Sequence, residues 1–182
     1  MSKRTWVTAD THFGHQLMAK LRPWDTIEEH DEAIIDNWNS LVAPQDRVYV
    51  LGDLCMNRRH VGTISRCNGK KVLVKGNHDI FKLKDYLPHF DDIRAYVVKP
   101  KHGLIMSHIP VHPQSMGTRY RLNVHGHLHE NIITETQMMR TIEGTGIRHC
   151  DPHQVPDTRY RCVSMEQTDY QPVDLMEIIN GI

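Results

Sequence analysis

The chain has 182 residues, and its 22 basic and 22 acidic side chains cancel to a formal charge of zero. That length supports one domain with a sizeable core, while the balanced charge offers no global field for nucleic acid and no acidic excess that marks disorder. No run approaches the roughly 20 apolar residues that span a bilayer, and no apolar signal stretch opens the chain, so a cytoplasmic protein with reduced thiols at Cys55, Cys67, Cys150 and Cys162 is expected.

Residues 5–9 read as a short strand ending at Asp10-Thr11-His12. Thr26 and Glu29 have capping-box spacing at the start of a helix predicted over 28–41, whose Ile34, Ile35, Trp38 and Leu41 share one face. A buried strand at 48–51 delivers Gly52-Asp53, a helix is expected at 58–67, and a strand at 71–74 delivers Gly76-Asn77-His78-Asp79. This alternation favours a parallel sheet with crossover helices. Further on, 93–98, 104–106 and 122–124 read as strands, with a turn at Pro100-Lys101-His102-Gly103. The second of these leads to His108 and the third to Gly126-His127-Leu128-His129. A late strand at 160–164 and a helix at about 173–179 close a single domain spanning 1–182. Residues 131–156, with Gly144, Gly146, Pro152 and Pro156 and little periodicity, read as a loop or hairpin insertion.

Carboxylates, imidazoles and one amide, all at strand ends, can converge on one rim of a sheet and assemble a two-metal hydrolytic site. Histidine is the compositional outlier, with 14 residues. Two neighbouring cations repel, and a shared carboxylate reduces the repulsion. Asp53 is the natural bridge, with Gly52 allowing close backbone approach. Asp10 and His12, two apart, face the same way in an extended chain and can serve one cation. His127 and His129 share that spacing but, in a loop, can diverge towards different cations. Asn77 offers a neutral carbonyl oxygen. This thiolate-free nitrogen and oxygen set suits Mn²⁺, Fe, Zn²⁺ or Ni²⁺ and is too rich in nitrogen for a dedicated Mg²⁺ or Ca²⁺ site. Each short block is a weak signal alone; the five in this order carry the reading.

Outside these blocks, His15 stands three residues after His12, where it can reach the mouth of such a site. Arg22, before Pro23-Trp24, either grips a substrate phosphate or pairs with a carboxylate. Asp79 either orients His78 or holds its turn. One of Arg119 and Arg121 could approach substrate, although such arginines are most often solvated.

Asp10-x-His12, Gly52-Asp53, Gly76-Asn77-His78-Asp79, His108 and Gly126-His127-x-His129 together resemble the five motifs of calcineurin-like metallophosphoesterases. The Asp10-Thr11-His12-Phe13-Gly14-His15 opening, Arg22-Pro23-Trp24 and Val124-His125-Gly126-His127-Leu128-His129 are similar to a small single-domain bacterial and phage branch. The resemblance implies an α/β fold, a four-layer α-β-β-α sandwich with two mixed sheets. It implies two divalent transition-metal ions, Mn²⁺ foremost, with Asp10, His12, Asp53 and His129 holding the first and Asp53, Asn77, His108 and His127 the second. Asp53 and His78 would be the catalytic pair, His78 facing the substrate phosphate, with Asn77, His78, His15 and Arg22 as substrate contacts. The implied reaction is phosphoester hydrolysis, a metal-bridging hydroxide attacking phosphorus.

Protein Ser/Thr phosphatases of that superfamily extend the second motif as G-D-x-V-D-R-G. Here Met56 stands at the second aspartate and Asn57 at the arginine, which disfavours a protein phosphatase. The capping domain of double-strand-break repair nucleases is also missing. The expected substrate is a phosphodiester, small and nucleotide-like or cyclic. The alternatives are a phosphomonoesterase acting on a small phosphorylated metabolite and a non-catalytic metal- or phosphate-binding scaffold. A nucleic-acid partner has no support from charge, no membrane is expected, and a monomer or small homo-oligomer is.

Overall fold

The computed structural model describes residues 3–135 and 155–181. Three parallel strands form its centre: β1 (Thr5–Thr8), β2 (Arg47–Val50) and β3 (Lys70–Val74). A strand presents successive side chains to opposite faces. Trp6, Val48, Val50 and Leu73 therefore meet the helical layer, while Val7, Tyr49, Val72 and Val74 face the second sheet. The helical layer is led by the helix Ile27–Leu41, which follows a shorter one at Gln16–Leu21; these are α2 and α1. The expected capping box is present at α2, with Thr26 Oγ1 accepting from Glu29 N–H and Glu29 reaching back to Thr26 N–H. Ile34, Ile35 and Trp38 of α2 are buried, and each such large apolar side chain contributes on the order of 1.5–3 kcal/mol. Leu41, expected on the same face, is 40 % exposed where the helix ends.

A short helix α3 (Leu83–Tyr86) precedes β4 (Asp92–Arg94), which lies parallel to β3. The strand predicted over 93–98 is in fact two strands in different sheets. Ala95 and Tyr96 are exposed at the crossing, and the chain re-enters as β5 (Val97–Lys99), antiparallel to β6 (Leu104–Ser107). The segment after β6, with α4 (Pro113–Met116), leads to β7 (Leu122–His125) and then β8 (Tyr160–Cys162), both running parallel to β6. Asn123, buried on the outer face, pins this segment by accepting from Val111 N–H. Leu104, Met106, Leu122 and Val124 close the core against the first sheet.

The predicted terminal helix also splits. Val173–Asp174 forms β9, antiparallel to β1, and Asp174 then caps α5 (Leu175–Asn180) through Met176 N–H. The helix expected at 58–67 is a 3-10 helix over Arg58–Arg66, with Val61 and Ile64, three apart, as its buried residues. The sheet orders are β4-β3-β2-β1-β9 and β5-β6-β7-β8. Both sheets are mixed and lie face to face with helices flanking, the architecture the motifs implied. Of the 131–156 insertion, Thr134 pairs antiparallel with Pro156, and residues 136–154 lie outside those described. No described helix is long and apolar enough to cross a membrane.

Candidate metal centre

The parallel strands of both sheets end on one rim, where a ligand crevice is expected. Asp10 follows β1, Asp53 follows β2, Asn77 and His78 follow β3, His108 follows β6, and His127 follows β7. The strand-like pairing continues into these loops through Asp10 N–H to Gly52 O at 3.0 Å and Gly126 N–H to His108 O at 3.0 Å.

The backbone there is bent in an uncommon way. Asp10, His12, Asp53, His127 and His129 all have positive φ, between 49° and 73°. Side-chain-bearing residues rarely adopt this region, and such conformations persist where the surroundings enforce them, often at functional sites. Asp10 and His12 therefore share a side through two left-handed residues, not through strand alternation as the spacing suggested. Two glycines permit the close approach. A methyl on Gly126 would lie 2.5 Å from Asp10 Oδ2, and one on Gly76 would run into Asp53 Oδ1.

Two clusters result. Asp10, His12 and His129 offer ligand atoms within 4.8 Å of one another, and so do Asp53, His108 and His127. Asp53 Oδ2 reaches across, 4.0 Å from His12 Nε2 and 3.4 Å from His108 Nε2. The burial pattern fits cations here. Asp10 Oδ2 accepts from His127 N–H at 2.9 Å and from the Ser164 hydroxyl at 2.7 Å, while its Oδ1 is buried with no hydrogen-bond partner. Both ring nitrogens of His12 are buried and unpartnered as well. Leaving such atoms unsatisfied is costly. His108 Nδ1–H donates to Leu51 O at 2.8 Å, which turns Nε2 to within 2.8 Å of Asn77 Oδ1. A cation between those two lone pairs would relieve their contact, as would a proton on Nε2 or the Asn77 amide turned to donate.

The four imidazoles divide: for His108 burial is outweighed by the Asp53 carboxylate and the group is raised, and His129 is raised by its Glu166 hydrogen bond, while the other two are lowered. Burial pushes the His12 imidazole down to about 3 and also lowers His127, so both are neutral at pH 7, the form that ligates. Burial raises the Asp10 carboxyl, as expected for a carboxylate awaiting a positive partner. For Asp53, burial is outweighed by the neighbouring His108, the His78 N–H bond and His12 together, and its carboxyl lies below the ordinary range.

The expected substrate contacts separate. His78 is at the mouth, its side chain 43 % exposed, its N–H donated to Asp53 Oδ1 at 2.8 Å. His15 begins α1 beside His12, ring centroids 5.8 Å apart, with Nδ1 buried and unpartnered. Arg22 does not face the mouth. Its side chain is buried beneath the ligands and donates to Asp10 O at 2.7 Å, Thr11 O at 3.2 Å and Glu166 Oε1 at 2.9 Å. A guanidinium committed to two backbone carbonyls and a carboxylate is not free for phosphate. Asp79 holds its turn, accepting from Asp53 N–H, Leu54 N–H and Gly76 N–H at 2.8 to 3.1 Å. Arg121 lies at the start of β7, the end away from His127, and donates to His102 O.

Two participants carry no sequence signal. Ser164 and Glu166 follow β8, far from every motif, and only the fold brings them in. Glu166 Oε1 accepts from His129 Nδ1–H at 2.9 Å as well as from Arg22. Burial alone would raise this carboxyl, but the His129 hydrogen bond and the Arg22 charge hold it down at about 2. A carboxylate on the far nitrogen fixes the ring and leaves Nε2 to the metal. Glu166→Gln is expected to weaken metal binding roughly 10- to 100-fold, measured by calorimetric Mn²⁺ titration; unchanged affinity would remove Glu166 from that role.

The family model for calcineurin-like phosphoesterases matches residues 3–169. The chain belongs to that family. Among curated proteins it is 27 % identical over 191 residues to an uncharacterized protein of Methanocaldococcus jannaschii, covering 99 % of this chain and 92 % of the relative. It is 29 % identical to the Gene 66 protein of Mycobacterium phage L5, covering 79 % of this chain and 86 % of that one. A solved structure, a protein of unknown function from Aquifex aeolicus, superposes over the whole of both chains with a TM-score of 0.67 at 24 % identity, a likeness of fold. As a calcineurin-like phosphoesterase, the chain is a metal-dependent phosphoester hydrolase by family, and its two clusters of Asp and His ligands are where the metals of that family would be held.

Proposed function

We propose that this phosphoesterase cleaves phosphodiesters, small and nucleotide-like, with two divalent transition-metal ions, Mn²⁺ foremost. Asp10, His12, Asp53 and His129 would hold one, and Asp53, Asn77, His108 and His127 the other. When bound, such ions supply an activated water and neutralise charge on the phosphate. The chain's own residues do the rest. His78, exposed at the mouth with its backbone tied to Asp53, delivers a proton to the leaving ester oxygen. Asn77 adds a ligand without adding charge. His15 lines the entrance beside His12.

The observation that carries the diester reading is the placement of Arg22. A phosphomonoester dianion brings an extra negative charge, which protein guanidinium groups commonly meet. Among the described residues, Arg22 is spent beneath the ligands, and Arg121 lies at the far end of β7. A diester, with one negative charge, suits a mouth so built. The lack of a dedicated partner for His78 counts against protein phosphatase chemistry. Its carboxylate contact is Asp53 Oδ2 at 3.9 Å; Met56 occupies the second-aspartate position, and Asn57, at the arginine position, caps the 3-10 helix through Arg59 N–H. A cytoplasmic setting fits the free, buried thiols of Cys55, Cys67 and Cys162.

The test is hydrolysis of bis-p-nitrophenyl phosphate beside p-nitrophenyl phosphate with Mn²⁺ supplied. The diester is expected to be the better substrate, and His78→Ala to lose roughly 100- to 10,000-fold in turnover. A preference for the monoester would contradict the diester reading. Metal binding without turnover of either would favour a binding scaffold.

A further inference from the structure

Beside the metal ligands a groove of about 500 Å³ opens along the outer face of β6, under the crossing from β4 to β5. It begins at Asn77 and His108, runs past Ile105 and Val111, and is walled by Tyr96 and Ile109. Tyr96 belongs to the crossing between β4 and β5, so the break in that predicted strand forms the wall. Tyr96 is 58 % exposed and Ile109 55 %. Two exposed apolar side chains facing one groove mark a contact surface.

The polar groups in the groove are mostly committed. Ser107 Oγ donates to Ile109 O at 2.7 Å and accepts from Asn123 Nδ2–H at 3.0 Å. The lining includes one cation, Lys75, whose ammonium stands 5.5 Å from the centroid of the Tyr86 ring, and no carboxylate. Such a groove favours a flat, uncharged group that stacks over one that hydrogen-bonds widely.

We propose that the groove seats the ester arm that stays on phosphorus after cleavage, and that this arm is a planar aromatic group such as a nucleobase. The assignment rests on the phosphodiesterase reading above. Continuity decides the occupant: Asn77 and His108 line both groove and centre, so a group bonded to the bound phosphate enters first. The side decides which arm. His78 lies towards His12, ring centroids 5.9 Å apart, and delivers its proton there. The departing arm thus leaves by the His12 side, and the retained arm points along Asn77 and His108.

The experiment compares thymidine 5′-(p-nitrophenyl) phosphate with methyl p-nitrophenyl phosphate, which share a leaving group and differ in the retained arm, in wild type and Tyr96→Ala. Stacking on an aromatic side chain is worth about 1–3 kcal/mol per base, or roughly 5- to 150-fold. The nucleoside ester is expected to show a KM lower by about that factor, with Tyr96→Ala erasing the advantage and leaving the methyl ester unchanged. Equal KM values, an advantage that survives Tyr96→Ala, or an equal loss on both esters would overturn the proposal. Should neither ester turn over, the phosphodiesterase reading fails, and amide chemical shifts still test the groove. Thymidine 5′-monophosphate is expected to move Tyr96 and Ile109 where methyl phosphate does not, and identical shifts from both would overturn the groove assignment by itself.

Discussion

Asp53→Asn is expected to cut metal-dependent phosphoester hydrolysis by at least about 1,000-fold, some 4 kcal/mol of transition-state stabilisation, while the protein stays folded. The substitution isolates charge from shape. Asp53 has a φ of 53°, and asparagine tolerates that left-handed conformation. Asn can still accept the His78 N–H now held at 2.8 Å. Its N–H acceptor Asp79 is untouched, so the turn survives. What disappears is the negative charge reaching both clusters, 4.0 Å from His12 and 3.4 Å from His108. Two cations would then share a site without their common anion, and repulsion is expected to expel one. Activity and metal stoichiometry measured on one sample check this; near-normal turnover would remove Asp53 from the bridging role.

Arg22→Met has the larger effect on stability. The guanidinium satisfies Asp10 O and Thr11 O and neutralises Glu166, all in a buried setting. Removing one partner of a buried pair strands the other charge and costs about 3–5 kcal/mol. At roughly 2–4 °C per kcal/mol for a chain of this size, the melting temperature should fall by roughly 6–20 °C. The double variant with Glu166→Gln should lose less than the sum of the two single changes, because the stranded carboxylate is gone. Glu166 also sets a pH window. Its folded carboxyl is held at about 2 against an ordinary 4.5, so its stabilisation is full above 4.5 and lost as pH falls towards 2. A flat melting temperature in Arg22→Met would mean that the loop after β1 is held by other contacts.

The convergence of the candidate ligands was legible because each sits in a short block at the end of an apolar run, and strand ends of parallel neighbours must share a rim. α2 was legible from its apolar face and its Thr26 cap. What could not be read depended on partners distant in sequence. Arg22 stayed open between a phosphate and a carboxylate because nothing in its neighbourhood names Glu166, 144 positions on. Ser164 and Glu166 are ordinary residues until β8 carries them beside Asp10 and His129. The run 93–98 looked continuous because local propensity does not register a change of sheet, and Val173-Asp174 looked helical because two residues of edge strand leave no periodicity.

Anomalous diffraction at the manganese edge, from crystals grown with MnCl₂, tests the central claim most directly. Two peaks per chain are expected, one among Asp10, His12 and His129, the other among Asn77, His108 and His127, with Asp53 between them. A single peak, or manganese bound away from Asp53, would contradict a two-metal centre.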